Sequence, residues 1–405
     1  MRQMEGRLLN MKKKIAALLI AGSLCASSLA ACGQTETPAD TETDISTEAV
    51  DDTDAPSGET DSTAVASAEP SAEAETSHKP ILDTDPLSMF KTRRAVGLVT
   101  SSGGLNDESF NQSAWEGLER VAGSYACDEI YIETQPGTDF AVNLEGAIAK
   151  DPDLCWSVGY SSAEAMHAAA LAHPDISFAI IDNALEDTPE NMTYVVFRDQ
   201  EPSFLVGYIA GCVTGTGKVG FVGGESNEVI EAFQSGYMGG VAYAQLKTGR
   251  NVDVYAEYTG TFSDKSKGRE AASKLYDQGC DIVFHAAGET GLGVIEVARE
   301  RGLYVIGADK DQSYLAPENM LTSALKYVSV AIFTISGDYL SGKDIGGQTI
   351  NLGLAENSVG ISGQHTLYSE DIYNEAMDLR EQIIAGDLIP PSDLTEYKEF
   401  IDNLE

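Results

Sequence analysis

The sequence has few histidines, few tryptophans and few basic side chains. Its 405 residues include 5 histidines, 2 tryptophans and 26 lysines and arginines, against 64 aspartates and glutamates. The formal net charge is therefore -38, and a surface this acidic repels the phosphates of nucleic acids and nucleotides. The histidines, at positions 78, 167, 173, 285 and 365, have none of the spacings that zinc sites use. The composition argues against a nucleic-acid-binding protein and against a zinc enzyme.

Catalytic motifs are also lacking. No G-x-S-x-G nucleophile elbow occurs. The glycines at 288, 291 and 293 have the wrong spacing for a dinucleotide fingerprint, and the stretch 211–218 is one residue too long for a P-loop. Asp309 and Asp311 could pair around a metal ion, but no ligand spacing supports that interpretation. We therefore predict that the protein is not an enzyme and has neither a cofactor nor a metal site.

Cysteine is scarce, and no C-x-x-C pair occurs. Besides Cys32, discussed below, the cysteines beyond the first thirty residues are Cys127, Cys155, Cys212 and Cys280. An exported chain of this size can form disulfides but does not need them for stability. Their disulfide state stays open, and buried free thiols are the favoured interpretation.

The N-terminus lacks a long hydrophobic run. It has only a short apolar run, which follows a cluster of lysines. Lysines at 12–14 precede the apolar run 15–24, which is shorter than the ~20 residues of a membrane-spanning helix. This pattern is typical of a signal peptide, here residues 1–31. The following residues 29–33 (LAACG) resemble a bacterial lipobox, which implies lipidation of Cys32 and stable anchoring at the extracytoplasmic face of the cell membrane. The alternative is an ordinary signal peptide with a chance cysteine.

Residues 32–90 lack apolar periodicity and are rich in Thr, Ser, Ala, Pro, Asp and Glu. Such a segment cannot bury enough apolar surface to offset the entropy lost on ordering. We predict a disordered acidic linker that holds a folded domain away from the lipid anchor. The alternative is an acidic tail without a spacer function.

Beyond residue 92, β-rich apolar runs alternate with helical patterns. Such alternation predicts parallel sheets joined by helical crossovers, and the number of strands fits two α/β lobes better than one sheet. The predicted strands are 95–100, 129–133, 154–158, 177–181, 219–222, 253–258, 282–286, 304–307 and 321–323. Predicted helices include 111–122, 267–278 and 293–302.

Polar residues, glycines and an aromatic residue follow these strands, and ligands of open α/β sheets bind at the carboxyl ends of strands. Ser101 and Ser102 follow the first strand, Asp182 the fourth, and Phe262 lies in the loop after 253–258. Asp309 follows the strand 304–307. Carboxylates, glycines and aromatic rings at such positions indicate a cleft for a small polar ligand with a flat ring.

Residues 103–117 (GGLNDESFNQSAWEG) resemble the signature of the basic membrane protein (BMP) family, the lipoprotein family that includes the bacterial purine nucleoside receptor. The resemblance runs from about residue 93 to residue 365, with matching motifs in order. These motifs are 178–182 (FAIID), 218–224 (KVGFVGG), 284–293 (FHAAGETGLG), 306–313 (IGADKDQS) and 322–326 (TSALK).

The resemblance implies a type I periplasmic-binding-protein fold, with two Rossmann-like lobes joined by three crossing segments. The expected lobes are 93–197 with 326–348, and 198–325 with 349–405. It implies a monomeric substrate-binding protein that closes around a nucleoside, most simply a purine nucleoside, and delivers it to the permease of an ABC importer. Two rivals are a surface lipoprotein that senses a ligand or binds a partner, and a nucleoside-cleaving enzyme.

The resemblance also implies roles for individual residues, transferred position by position. By this transfer, Phe110 and Phe262 of this chain would sandwich the base. Asp182 would accept hydrogen bonds from the base edge. The ribose hydroxyls would be held by Gly288, Asp309 and Lys326. Ser101 stands where relatives commonly have an aspartate that reads the base. Serine carries no charge and can donate as well as accept, so the base preference stays open.

Other interpretations of these residues stay open at this point. Without the family, Phe110 and Phe262 could be core aromatic residues, and Asp182 could cap a turn. Asp107 is better explained as a turn cap. Trp115 fits packing and ligand contact equally well. His285, at a strand end, fits a core or lobe-packing role better than catalysis.

Overall fold

Two six-stranded sheets lie at the centre of the part of the chain described here. The structure is a computed structural model, and it describes residues 93–135 and 137–404. The predicted signal peptide 1–31, Cys32 and the whole of the linker 32–90 lie outside the described residues. No helix within these described ranges has the length and apolar character needed to cross a bilayer.

The strands follow the chain in the following order: β1 (Ala95–Val99), β2 (Asp128–Ile132), β3 (Leu154–Val158), β4 (Ser177–Ile181), β5 (Met192–Phe197), β6 (Lys218–Gly223), β7 (Asp253–Tyr258), β8 (Ile282–Ala286), β9 (Tyr304–Asp309), β10 (Met320–Lys326), β11 (Gln348–Leu352) and β12 (Val359–Ile361).

The helices are α1 (Phe110–Tyr125), α2 (Phe140–Ile148), α3 (Ala163–Ala172), α4 (Gln200–Val213), α5 (Glu228–Thr248), α6 (Lys265–Asp277), α7 (Thr290–Arg301), α8 (Val328–Leu340), α9 (Glu370–Ala385) and α10 (Leu394–Asn403). Most of the connections between parallel strands contain one of these helices, which is the usual way to join such strands.

The two sheets have the same strand arrangement. The first has the order β11-β5-β4-β3-β1-β2, and the second has the order β12-β10-β9-β8-β6-β7. All pairings are parallel except that of β12 with β10. Every residue of β1, β3, β8 and β10 is buried, as expected for strands covered on both faces. The predicted α/β architecture with two parallel-rich lobes is confirmed.

The chain passes between the two sheets three times. It leaves the first sheet after β5, returns after β10, and leaves again after β11. The predicted boundary between residues 348 and 349 falls inside β11, which pairs along its whole length with β5. The third crossing therefore begins only after Leu352.

Arg198 ties the first crossing to the third. Its Nη1 donates hydrogen bonds to the backbone oxygen of Asn351 at 3.3 Å and to the side-chain oxygen of Asn351 at 3.1 Å. Its Nε donates to Glu201 at 2.6 Å, and its Nη2 forms an ion pair with Glu356. Gly353 leaves room for this guanidinium, because a Cβ there would lie 2.3 Å from Nη2. The two crossings are thus held together at their ends.

Candidate functional site

A cavity of about 850 Å³, part of which opens to solvent, lies between the carboxyl ends of the strands of both sheets. All the predicted ligand-binding residues line it, namely Ser101, Ser102, Phe110, Asp182, Phe262, Gly288, Asp309 and Lys326. The structure therefore brings these residues together, while their individual roles toward a ligand stay predictions. Further lining residues that the sequence did not single out include Asn111, Tyr160 and Phe233.

Ser101 and Asn111 form a polar pair on the wall that the first sheet contributes. The Oγ of Ser101 donates to the Oδ1 of Asn111 at 3.0 Å. Gly159, at the end of β3, allows this arrangement, because a Cβ there would lie 2.7 Å from the Cβ of Ser101. Its φ of +114° also strongly favours glycine. Asn111 belongs to the signature motif, so the motif itself was the signal for this residue.

Asp107 caps the turn that leads into α1, as the sequence predicted. Its carboxylate accepts hydrogen bonds from the backbone N–H groups of Ser109 at 2.9 Å, Asn111 at 2.8 Å and Gln112 at 3.1 Å. Burial raises the pKa of Asp107 to about 6, against the lowering effect of these hydrogen bonds. The cap fixes the start of α1 and thereby holds Phe110, its first residue, at the cavity wall.

The ring of Phe262 lies in a slot formed by glycines of the second lobe. A Cβ on Gly224, just after β6, would lie 2.2 Å from a ring carbon of Phe262. A Cβ on Gly288, just after β8, would lie 3.3 Å from the backbone oxygen of Phe262. That oxygen also accepts a hydrogen bond from the N–H of Thr290 at 3.1 Å. Glycines at these two strand ends therefore position the aromatic side chain.

Asp182 and Asp309 occupy equivalent places in the two lobes. Asp182 directly follows β4 and Asp309 is the last residue of β9, and these strands hold the same position in the two sheets. Both residues have left-handed backbone conformations, with φ of 74° and 65°. Such values are uncommon for residues other than glycine and concentrate at functional sites. Each lobe thus presents one carboxylate to the cavity in the same local conformation.

Lys326, the last residue of β10, lies between these carboxylates and is 1% exposed. Its Nζ lies 2.6 Å from the Oδ1 of Asp182 and 3.0 Å from the Oδ2 of Asp199. Burial lowers the pKa of Lys326, but the charges of Asp182, Asp199 and Asp309 outweigh burial and raise the pKa above its usual range. The ammonium therefore stays charged and serves as the common counter-ion of three aspartates.

Asp199 and Phe233 are parts of this cluster that sequence reasoning missed. Asp199 is buried in the first crossing, and the ring centroid of Phe233 on α5 lies 5.7 Å from the Nζ of Lys326. Phe197, which ends β5, lies 5.0 Å from the same nitrogen. The apolar run 192–197 was the available signal, because Asp199 follows it as Asp182 follows β4.

His285 and Trp115 pack away from the cavity wall. His285 is buried, with its Nε2 at 3.1 Å from the Oε1 of Gln312. Burial lowers the pKa of His285 to about 4, so the ring is neutral at physiological pH. Trp115 makes an edge-on contact with Tyr131, with ring centroids 4.8 Å apart. The core role expected of His285 is confirmed, and packing is the observed role of Trp115.

The two lobes contact each other directly beside the cavity. Gln312 of the second lobe donates a hydrogen bond from Nε2 to the backbone oxygen of Glu108 at 3.0 Å. Lys310 forms an ion pair with Glu116 of α1 at 2.6 Å. The Oγ of Ser109 also donates to a carboxylate oxygen of Asp309. These contacts join the two lobes at the edge of the cavity.

Asp309 and Asp311 have different partners, so they do not form a pair. Asp309 accepts a hydrogen bond from Ser109, whereas Asp311 accepts one from the Oγ of Ser362 at 2.9 Å. Over the ranges that the structure describes, no group of three or more His, Cys, Asp or Glu side chains is arranged to hold a metal ion. The cysteines at 127, 155, 212 and 280 are free thiols, and all but Cys212 are buried.

Comparisons with known proteins agree with this architecture. The family model described as "ABC transporter substrate-binding protein PnrA-like" (Bmp) matches residues 95–393. Basic membrane protein A1 of Borrelia garinii subsp. bavariensis is 38% identical over 304 residues, which cover 74% of this chain and 89% of that protein. A CD4+ T-cell-stimulating antigen of Listeria monocytogenes is 33% identical over 317 residues, covering 73% and 87%.

Solved structures give the fold. An ABC transporter solute-binding protein from Aeropyrum pernix K1 superposes with a TM-score of 0.68 and 27% identity, covering 77% of this chain and 97% of that one. A solute-binding protein from Conexibacter woesei, at 23% identity and a TM-score of 0.59, covers 74% and 99% and supports the fold alone. The type I periplasmic-binding-protein fold is confirmed. The chain belongs to the Bmp family of PnrA-like ABC transporter substrate-binding proteins.

Proposed function

We propose that the protein binds nucleosides, purine nucleosides first, in the cavity between its lobes. The observation that carries the proposal is the convergence of Phe110, Phe262, Asp182, Asp309 and Lys326 on one cavity. Aromatic stacking contributes ~1–3 kcal/mol per base, and hydrogen bonds to charged groups contribute ~1.5–3 kcal/mol each. Such contacts support micromolar to nanomolar affinity, about -8 to -12 kcal/mol, after the costs of association.

The charge of the site favours a neutral nucleoside over a nucleotide. The cavity wall carries the carboxylates of Asp107, Asp182, Asp309 and Glu225, with Lys326 as the cationic side chain among its lining residues. The chain as a whole has a net charge of -38. The cavity carboxylates and the net negative charge of the chain would both repel a phosphate group that enters this cavity. Ribose hydroxyls, in contrast, can donate hydrogen bonds to the carboxylates.

The base preference follows from the Ser101–Asn111 pair. In this pair the hydroxyl of Ser101 donates to the oxygen of Asn111, so the amide N–H groups of Asn111 are left as donors for a ligand. A carboxylate at position 101 would offer only acceptors. The site therefore suits a base edge that accepts at least one hydrogen bond, a property that several nucleosides share.

In the cell, the protein would act at the outer face of the membrane. We propose that lipid on Cys32 anchors the mature chain and that the acidic linker 32–90 holds the folded part at a distance from the membrane. Closure of the lobes around a nucleoside would create the surface that the permease of an ABC importer recognises, because a transporter that binds the closed state selects the loaded protein. No chemical step is needed for this function, and the protein would work as a monomer.

The first test is calorimetric titration of the chain from Gly33 onward against purine and pyrimidine nucleosides. Free bases, ribose and the 5′-monophosphates serve as controls. We expect micromolar or tighter binding of at least one purine nucleoside and much weaker binding of every control compound. The order of the bases would show how Ser101 and Asn111 read the base edge.

Two results would contradict the proposal. Equal binding of a nucleoside and its 5′-monophosphate would contradict the charge argument. Failure of every nucleoside to bind would show that the fold serves another ligand, and the sensor or partner-binding interpretation would then take its place.

The anchor is tested by Cys32→Ser in the full chain. We expect the variant to leave the membrane fraction, because lipidation requires the thiol and several acyl chains give far stronger anchoring than one. Cys212→Ser, a substitution at a half-buried thiol of the folded part, is the matched control and should stay in the membrane fraction. Retention of the Cys32→Ser variant in the membrane fraction would disprove the anchor.

A further inference from the structure

Asp199 joins two of the three crossings beside the cavity. It lies just after β5, in the first crossing, and is 1% exposed. Its Oδ2 lies 3.0 Å from the Nζ of Lys326, the residue at which the second crossing begins. No sequence motif pointed to Asp199, and it does not itself line the ligand cavity. Its contact with the cavity is made through Lys326.

The contacts of the Lys326 ammonium indicate the role of Asp199. A lysine ammonium has three N–H donors. Asp199 accepts a hydrogen bond from Nζ at 3.0 Å, and Asp182 forms an ion pair with the same nitrogen at 2.6 Å, which leaves N–H donors for the cavity that Lys326 lines. Asp182 and Asp199 lie on separate segments of the chain. Together they hold the ammonium from two directions, by an ion pair and by a hydrogen bond, and so fix how its remaining N–H groups face the cavity.

We propose that Asp199 is a positioning residue that directs Lys326 toward the sugar hydroxyls of the bound nucleoside. The proposal rests on the function proposed above and deepens it. Without Asp199, the ammonium would move toward Asp182 and Asp309, which are its other anionic neighbours. The N–H that faces the cavity would then lose its fixed direction, and selectivity for a hydroxylated sugar would fall.

Stability alone does not explain Asp199. Within the described ranges its Oδ1 has no hydrogen-bond partner, and burial of an unpartnered polar atom costs free energy. Replacing buried ion pairs by apolar residues is often neutral or stabilising. The stability of the fold alone would therefore not favour an aspartate at this position. Positioning the ammonium of Lys326, in contrast, requires an oxygen here.

The surroundings of Asp199 show which substitution imitates it best. Burial raises the pKa of Asp199 to about 8, with Lys326 lowering it and Asp182 raising it. Asparagine matches this side chain in size and keeps an oxygen that can accept a hydrogen bond from Lys326, so it is the substitution that best preserves the contact. Asp199 lines a second cavity, and the other charged side chains there include Arg198, Glu228, Glu231 and Asp393. The charge of Asp309 also raises the pKa of Asp199.

The test compares two substitutions at this position by calorimetric titration at pH 7. Asp199→Ser removes the oxygen that reaches Lys326 but leaves a small polar side chain, whereas Asp199→Asn keeps an oxygen in place. The probes are adenosine and inosine, each beside its 2′,3′-dideoxy analogue. Asp338→Ser, which removes the surface partner of Lys343, is the control, and thermal unfolding confirms that every variant is folded.

The measured quantity is the ratio of affinities for each nucleoside and its dideoxy analogue. We expect a ratio of at least ~10 in the wild-type protein, because a hydrogen bond to a charged group is worth about that factor or more. The ratio should fall to about 3 or lower in Asp199→Ser and stay within about twofold of wild type in Asp199→Asn and in the control. A residue with a purely structural role would weaken both ligands equally and leave the ratio unchanged.

Three results would overturn the proposal. An unchanged ratio in Asp199→Ser would show that Lys326 does not need Asp199 for its direction. Equal falls in Asp199→Ser and Asp199→Asn would show that the oxygen is not the relevant feature. If the wild-type protein binds neither purine nucleoside, the proposed function fails together with this inference, whereas the first two results leave the proposed function intact.

Discussion

Lys326→Met should reduce the free energy of unfolding by about 3–5 kcal/mol, the usual cost of removing one partner from a buried ion pair. Lys326 is 1% exposed and faces Asp182, Asp199 and Asp309. Methionine has a similar length but no charge, so the variant would leave three buried carboxyl groups without a counter-ion. Nucleoside binding should be lost as well, because the same ammonium lines the cavity.

The loss of stability in Lys326→Met should depend on pH. Burial already raises the pKa of Asp199 to about 8 and raises that of Asp309. Folded carboxyl groups with raised pKa values bind protons more tightly than they do in the unfolded chain, so stability falls as pH rises toward the folded pKa. Without the ammonium these pKa values rise further. The variant should therefore be closer to wild type at pH 5 than at pH 8.

Urea unfolding at pH 5 and pH 8 measures this effect, with Lys343→Met as the control. Lys343 forms a surface ion pair with Asp338, and its side chain is 65% exposed. Surface pairs of this kind contribute ~0–1 kcal/mol, so the control should unfold almost as the wild-type protein does. Equal unfolding of the two variants at both pH values would show that the buried cluster is not held together by Lys326.

Phe262→Ala should weaken nucleoside binding about 10- to 100-fold, because stacking contributes ~1–3 kcal/mol per base. The folded state should be little affected, since Phe262 lies in a loop and is only half-buried. Gly224→Ala provides a second test of the same ring, because the added Cβ would lie 2.2 Å from a ring carbon of Phe262. It should displace the ring and weaken binding in the same direction.

Phe333→Ala is the matched control for the loss of an aromatic side chain. Phe333 is half-buried on α8 and packs against Tyr125 and Arg120, with its ring centroid 5.9 Å from that of Tyr125. It does not line the cavity, so the variant should bind nucleosides as the wild-type protein does. Similar affinity losses in Phe262→Ala and Phe333→Ala would remove Phe262 from the proposed site.

Of the twelve strands in the described part of the chain, the sequence predicted nine and missed β5, β11 and β12. Alternating apolar runs and helical patterns located β1 to β4 and β6 to β10, because each of those runs contains apolar or aromatic residues of high β-propensity and is flanked by turn residues. β5 was missed since no helix separates it from β4, so the alternation that guided the prediction does not hold there. β11 is a partly exposed edge strand and β12 has three residues, so neither has a clear apolar pattern.

The cavity was predicted better than the cluster behind it. Family motifs located the lining residues because each motif includes or follows the carboxyl end of a strand, and the carboxyl ends of parallel strands meet at one edge of a sheet. Asp199 and Lys326 are 127 residues apart in the chain, and no local pattern connects them. Their pairing depends on how the first two crossings pass each other, which only the folded structure shows.

The contacts of Glu108 with Gln312 and of Glu116 with Lys310 also bear on the timing of transport. Separation of the lobes, which widens the path by which a ligand leaves the cavity, must first break these contacts. They would lengthen the residence time of the ligand without touching it, and residence time accounts for most affinity differences between related complexes. We expect release to become fast only where the transporter holds the lobes apart, so that the docked complex, and not the free protein, sets the rate of import.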